Sequence, residues 1–417
     1  MFLKFFGGAQ EVGRSSILLK DETALLLDFG IKLNQKIEYP ITIPDADAFI
    51  LSHAHLDHCG YAPALYNEML LPAFGTAPTL KLSELLLKDS LNVAKKEHMK
   101  QRFSKRQIES FMRRYTPMEY NSPFELGNFS IEFHDAGHIA GSAITSIENA
   151  GSSKRKRIVY TGDYKLNPQY LHKGAEIVQS DVLITESTYA TREHPDRGAL
   201  FKDLAEKIKE TLDNKGNVLL PVFAVGRSQE MLVFLHKNNL TQHTYLDGMA
   251  RAATSIVLRN RDFINESQNL SKALEESMVI KEADDRSEAL SMPSIILTTA
   301  GMLSGGPVLD YITKLRANSR VFLTGYQVEG SNGRMLMDKG SLIIGKKPVK
   351  INAPVSYYDL SAHAGKSELY EYIKRSNPGV VVCVHGDAAN AEALAETLKL
   401  EGYETHAPKI GDTVKLD

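Results

Sequence analysis

The sequence predicts an α/β fold in two domains, and three observations lead to it. The chain has 417 residues, whereas single domains usually run roughly 100–200. Short apolar runs bounded by charged or glycine-bearing turns alternate with amphipathic stretches along the chain. From about residue 199 to 350 this becomes a succession of helix and fully apolar strand, the pattern of a parallel sheet.

Residues 16–28 read as a strand, a charged turn and a second strand, and residues 48–52 as a short apolar strand that ends where histidines begin. Apolar spacings of three and four predict helix from about 79 to 115, with Pro117 as the stop. Strand patterns return at 129–134, 143–147, 158–161 and 181–185. An amphipathic helix over 199–214 leads to the apolar strand 218–222. Strands at 294–298 and 320–324 are each followed by a glycine-bearing turn, at 300–306 and 325–330. The chain closes on a strand at 380–384 and a helix at 391–401.

With 43% hydrophobic, 24% charged and 8% aromatic residues, the composition is that of a globular protein and excludes a disordered or fibrous chain. The opening apolar run is too short for a signal peptide, and no stretch reaches the ~18–20 apolar residues that span a bilayer. The expectation is a cytoplasmic protein with no membrane contact. Formal net charge is -2, so a nucleic-acid surface must come from local clustering. Lys95, Lys96, Lys100, Arg102, Lys105, Arg106, Arg113 and Arg114 supply one basic stretch on helical segments, and Lys154 to Arg157 a second, at a hairpin tip. Two cysteines, Cys59 and Cys383, are too few for a disulfide scaffold and read as packing residues beside a metal site.

The chemistry concentrates in His53-Ala-His55-Leu-Asp57-His58, three imidazoles and a carboxylate within six residues after an apolar strand. Packing does not require such a cluster. Neutral imidazole nitrogen and carboxylate oxygen suit borderline divalent metals such as zinc. The same residue types recur at or just beyond strand ends: His138, Asp163 and His385. Seven candidate ligands from four places suggest two metals with one bridging carboxylate. The glycine turns, with Ser304 and Gly305 in the first, could present backbone N–H groups to phosphates, with Arg227 or Arg334 as counter-charges.

His53-x-His55-x-Asp57-His58, His138 and Asp163 resemble the metal motifs of the metallo-β-lactamase superfamily. Glu186 in Ile184-Thr-Glu186, His363 in Ser361-Ala-His363 and His385 in Val384-His385-Gly386 resemble the three further motifs of its β-CASP branch. The resemblance covers essentially the whole chain. It implies an αββα sandwich over 1–190, completed by 351–417, and an inserted β-CASP α/β domain over 191–350 that caps the metal site and leaves a cleft for a nucleic-acid strand. A histidine at the last motif resembles the RNA-processing members rather than the DNA-repair members. Gly7-Gly-Ala-Gln-Glu-Val-Gly-Arg-Ser15 and Gly226-Arg227-Ser-Gln-Glu230 resemble archaeal homologues of the nuclease subunit of the cleavage and polyadenylation specificity factor, in a form without the KH domains often found there.

The resemblance implies two Zn2+ ions, one on His53, His55 and His138 and the other on Asp57, His58 and His385, bridged by Asp163. It implies hydrolysis of single-stranded RNA by a metal-bridged hydroxide, with His363, paired to Glu186, as general acid, and a homodimer or RNA-processing partners. The leading expectation is an endonuclease of RNA 3′-end processing or turnover. The alternatives are a 5′-to-3′ exoribonuclease resembling the RNase J group, a non-catalytic RNA-binding subunit, and a small-molecule hydrolase. Intact ligands speak against the non-catalytic subunit, and the inserted domain against the small-molecule enzyme.

Overall fold

A computed structural model describes residues 1–33, 36–67, 70–149, 155–345 and 347–416. Within them, Met1–Glu193 with Ala362–Asp417 forms one compact unit and His194–Ser361 a second.

In the first unit, apolar residues at alternate positions build two sheets that share one core. One sheet runs, in spatial order, Thr413–Lys415, Phe2–Gly7, Ser16–Lys20, Ala24–Leu27, Ala48–Ile50, Ala73–Thr76, Tyr115–Met118. The other runs Glu404–His406, Val380–Val384, Val182–Glu186, Arg157–Tyr160, Ala143–Asn149, Phe129–Asp135, Phe124–Leu126. Leu3, Phe5, Ile17, Leu19, Leu25 and Leu27 of the first pack against Phe129, Ile131, Phe133, Ile158, Ile184 and Val382 of the second. Each such side chain, fully buried, contributes about 1.5–3 kcal/mol.

The residues between them in sequence point outward, as the two-residue strand period requires, and each outer face is covered by helices. Phe49 and Leu51 meet Leu87 of the helix Ala77–Lys96 and Ile108 and Phe111 of Lys105–Arg114. Val159, Leu183 and Val381 meet Leu369, Tyr372 and Ile373 of Lys366–Ser376 and Leu394 and Leu398 of Ala388–Leu400. The result is an αββα sandwich.

The second unit has a sheet of Met278–Val279, Thr244–Leu246, Ile295–Thr298, Val218–Pro221, Arg320–Leu323 and Val355–Tyr357, every neighbour parallel. Leu219, Ile296, Val321 and Leu323 pack with Tyr311, Ile312 and Leu336. The helices Arg197–Asp213 and Arg227–Lys237 meet through the stacked rings of Phe201 and Phe234. Both expected glycine turns follow carboxyl ends of these parallel strands.

The edge strands Phe124–Leu126, Glu404–His406 and Thr413–Lys415 and the inner strand Ala73–Thr76 were not expected from the sequence, and three further differences have a local cause. The helix expected over 79–115 is two helices, because Ser104 and Gln107 form a capping box that starts a new one after residue 96. Pro117 is a strand residue, not a helix stop; its strand pairs parallel with Ala73–Thr76 at the edge of the first sheet, where a missing N–H is tolerated. The strand Phe2–Gly7 was not anticipated, since two consecutive phenylalanines obscure its alternation. Among the described residues no helix is long and apolar enough to cross a membrane.

Cys59 and Cys383 are free and buried, and burial pushes both thiols up to about 12. Neither should react with a disulfide reagent in the native protein at pH ~8, and both should react after denaturation. A thiol that reacts rapidly in the native state would contradict this packing.

Candidate metal centre

Strand polarity delivers the functional side chains. Arg157–Tyr160, Val182–Glu186 and Val380–Val384 are parallel neighbours, with Tyr160 opposite Ile184 and Glu186 opposite Val384. Phe129–Asp135 has the same direction, being two antiparallel steps from Arg157–Tyr160. Their carboxyl ends therefore share one edge, and the segments leaving it carry His138, Asp163, Glu186 and His385. In the facing sheet, Ala24–Leu27 and Ala48–Ile50 are also parallel and end on Asp28 and on Ser52-His53. Asp57 and His58 then lie in the short helix Leu56–Cys59.

Two of these strands end in left-handed turns, Asp28 at φ 58 and His385 at φ 48. Such a conformation costs an L-residue roughly 1–2 kcal/mol. Hydrogen bonds from Asp28 N to Ile50 O (2.9 Å) and from His385 N to Gly8 O (2.7 Å) hold the two turns. Gly386 follows because a Cβ there would lie 2.4 Å from Ser187 Oγ.

All nine residues singled out at the metal motifs converge. His53, His55, His138 and Asp163 form one group; Asp57, His58, Asp163 and His385 a second; Asp163, Glu186, His363 and His385 a third. In each, the offered ligand atoms lie within 4.8 Å of one another. Asp163 is common to all three. Its carboxylate is buried, both oxygens lack a hydrogen bond, and His58 Nε2 (3.2 Å), His385 Nδ1 (3.2 Å) and His53 Nε2 (3.4 Å) stand around it. Burial favours the neutral acid, yet His385, His58 and His363 hold the carboxyl well below its ordinary range.

The imidazoles divide by environment. Burial lowers His55 to about 3, and lowers His53 and His138 too, each aided by neighbouring histidines. Burial opposes the charge of His58 as well, but Asp163 and Asp28 raise it well above the usual value. The backbone carbonyl of Ala362 can only accept, so its 2.8 Å contact with His138 Nδ1 places the neutral ring's proton there. That leaves His138 Nε2 as a lone pair facing His55 Nδ1 at 3.1 Å. His58 Nε2 likewise faces His385 Nε2 at 3.2 Å. Buried carboxylate without donors and ring nitrogens facing one another describe a site that draws a cation, and the donor set fits borderline divalent metals.

A supporting layer went unread in the sequence. Asp28 accepts from Ser52 N (2.8 Å), Ser52 Oγ (2.7 Å) and Tyr160 Oη (2.7 Å) and stands 2.7 Å from His58 Nδ1. The signal for it was present: Leu25-Leu-Leu-Asp28 is an apolar strand ending in a carboxylate, the pattern of the other sites. Thr188 Oγ1 donates to the His385 carbonyl (2.9 Å). Beside this layer, Glu186 accepts from Tyr164 N (2.9 Å) through Oε1, and its Oε2 stands 3.0 Å from His363 Nδ1. Burial works against the His363 imidazolium, but Glu186 and Asp163 hold its pKa up at about 9.

The residues expected to meet phosphates belong to the second unit. Arg227 opens the helix Arg227–Lys237; its buried guanidinium donates to the Leu360 carbonyl, while Nε and Nη1 make no hydrogen bond. Ser304 is exposed and Gly305 partly so, in the turn after Ile295–Thr298. Arg334 is exposed and paired with Asp338 at 2.8 Å. Of the basic stretch, Lys95, Lys96, Lys100, Arg102, Lys105, Arg106 and Arg113 are exposed and Arg114 is half-buried. Lys154 lies outside the described residues, and Arg157 binds Glu148.

Residues 348–408 match the family of the Zn-dependent metallo-hydrolase RNA specificity domain, residues 228–336 the Beta-Casp domain and residues 9–213 the anti-Pycsar protein Apyc1 family. The whole chain is 41% identical to the whole of a probable RNase, MJ4, of Methanocaldococcus jannaschii. It is 34% identical to RNase aCSPSF2 of Saccharolobus solfataricus, over 100% of this chain and 85% of that one. It is 33% identical to transcription termination factor FttA of Methanococcus maripaludis, over 99% of this chain and 71% of that one. A solved structure of a protein of unknown function from Enterococcus faecalis shares the fold, with a TM-score of 0.64 at 16% identity, over 100% of this chain and 99% of that one.

Asp28→Asn keeps the shape beside His58 but removes the charge that orients it. Divalent-metal affinity should fall on the order of 10–100-fold, read by chelator competition on folded protein. Unchanged affinity would remove Asp28 from the support of the site.

Proposed function

This chain belongs to the β-CASP family of metallo-β-lactamase-fold ribonucleases, and we propose that it cuts single-stranded RNA internally with two zinc ions, in RNA 3′-end processing or turnover in the cytoplasm. The observation that carries the reading is the convergence of two four-residue ligand groups on one buried carboxylate. His53, His55 and His138 would hold one ion, Asp57, His58 and His385 the other, and Asp163 both. Ions there supply Lewis acidity and acidify water, the help a phosphodiester needs against its own negative charge.

The chain's own residues supply orientation and a proton. Asp28 and the Ala362 carbonyl fix the proton-bearing nitrogens of His58 and His138 and leave the other nitrogen of each for the metal. His55, Asp57 and His363 are the partly exposed members of the cluster, so the phosphate approaches from their side. With Nδ1 engaged by Glu186, His363 presents Nε2–H and delivers that proton to the leaving oxygen. Arg227, with two buried nitrogens unpaired, is the second unit's strongest candidate for a backbone phosphate. Names of relatives, two RNases and a termination factor, support RNA as the substrate.

A circular single-stranded RNA has no end to grip. Chelator-sensitive linearisation is expected; an intact circle beside a linear copy degraded to mononucleotides would replace this reading with an exonuclease. His363→Ala should lower kcat by about 10²–10⁴ with metal content unchanged. The proton donor is charged below its pKa, so wild-type kcat should fall as pH rises through the His363 pKa, and that limb should vanish in the variant. Full activity in His363→Ala would assign the proton to another group.

A further inference from the structure

The segment Asp163-Tyr164-Lys165 follows the strand Arg157–Tyr160 and reaches three parts of the site in succession. Asp163 places its carboxylate at the centre. Tyr164 gives its backbone N–H to Glu186. Lys165 turns inward: Nζ donates to the His363 carbonyl at 3.1 Å and pairs with Glu368 Oε2 at 2.5 Å. Glu368 in turn accepts from Gly365 N at 2.9 Å through Oε2 and from Asn167 N at 2.8 Å through Oε1. Lys165 is 5% and Glu368 6% exposed.

Lysine normally keeps its ammonium in water, and a buried ion pair is a poor source of stability, because desolvation offsets much of the attraction. A pair retained there points to specificity of geometry. The contact of Glu186 with His363 Nδ1 sets the rotation of the ring but not the position of its backbone. Lys165 fixes the carbonyl of residue 363, and Glu368 fixes the N–H of residue 365. Lys165 is itself immobilised, by Lys165 N to Ala136 O (3.0 Å) and Ala175 N to Lys165 O (2.8 Å). Gly137 (φ 66) passes so close that a Cβ would lie 2.6 Å from the Lys165 carbonyl oxygen.

We propose that Lys165 and Glu368 are positioning residues for the leaving-group proton: they clamp the backbone on both sides of Ala364, so that His363 meets the scissile phosphate at a fixed distance from Asp163. The inference rests on His363 being the general acid. Misplacing an acid by a fraction of an ångström slows proton transfer without weakening substrate binding.

The test uses the full chain, metal-loaded, in the double variant Lys165→Met/Glu368→Gln, which leaves no buried charge unpaired. On single-stranded RNA, kcat should fall about tenfold or more while KM stays within about twofold, with the metal content and melting cooperativity of wild type. Glu368→Gln alone should show a smaller loss of the same kind and serves if the double variant does not fold. Each protein is also given RNA with sulfur in place of the 3′- or 5′-bridging oxygen. A thiolate leaves without a proton, so on the substrate with sulfur at the leaving position the loss should shrink to within about threefold. His363→Ala runs in parallel. If sulfur rescues His363→Ala while the Lys165/Glu368 variant is either as fast as wild type or equally slow on both substrates, the positioning role is overturned and the acid stands. If His363→Ala is equally slow on oxygen and sulfur substrates, the acid assignment falls, and this inference with it.

Discussion

A carboxylate buried without a hydrogen-bond donor is the constraint on which the site depends. Left in an apolar interior, Asp163 would take up a proton; surrounded by His53, His58 and His385, it stays ionised. The charge is balanced only if the imidazoles stay close, so several strand ends must be held in register. That requirement falls on the backbone more than on any ligand.

Register comes from the shared core. Phe129, Ile131 and Phe133 lie on one side of their strand, and a slip of one residue would turn them outward and displace the His138 loop with them. The parallel pairing of Val182–Glu186 with Val380–Val384 sets the last residue of one strand opposite the last of the other, so Glu186 and His385 emerge side by side. Tyr160 crosses between the sheets to Asp28, tying the edge that carries the histidine cluster to the edge that carries Asp163. Packing and chemistry therefore share residues.

The histidines fall into two electrostatic classes. His53, His55 and His138, among other imidazoles, are held neutral, the state a metal ligand requires. His58 and His363, each beside two carboxylates, are held toward the charged state. His58 is buried between its two carboxylates, whereas His363 is partly exposed. One residue type is thus held in two protonation states, separated by whether carboxylates or imidazoles are its nearest neighbours.

Much of this was legible in the sequence. Apolar runs marked the central strands of each large sheet, and donors at strand ends marked the side chains that cluster, because strand carboxyl ends are where side chains leave a sheet together. Residues 53–58 needed no fold to be read, being dense in donors within one turn of chain. Asp28, Lys165 and Glu368 were not read, since each is ordinary in its local context: a strand-end aspartate, a loop lysine, a helix-capping glutamate. Their roles arise from partners 30, 198 and 203 residues away in sequence. Local chemistry determined which side chains could hold a metal; only the tertiary structure decided which would share one carboxylate and what holds them there, because burial and proximity belong to no single segment of the chain.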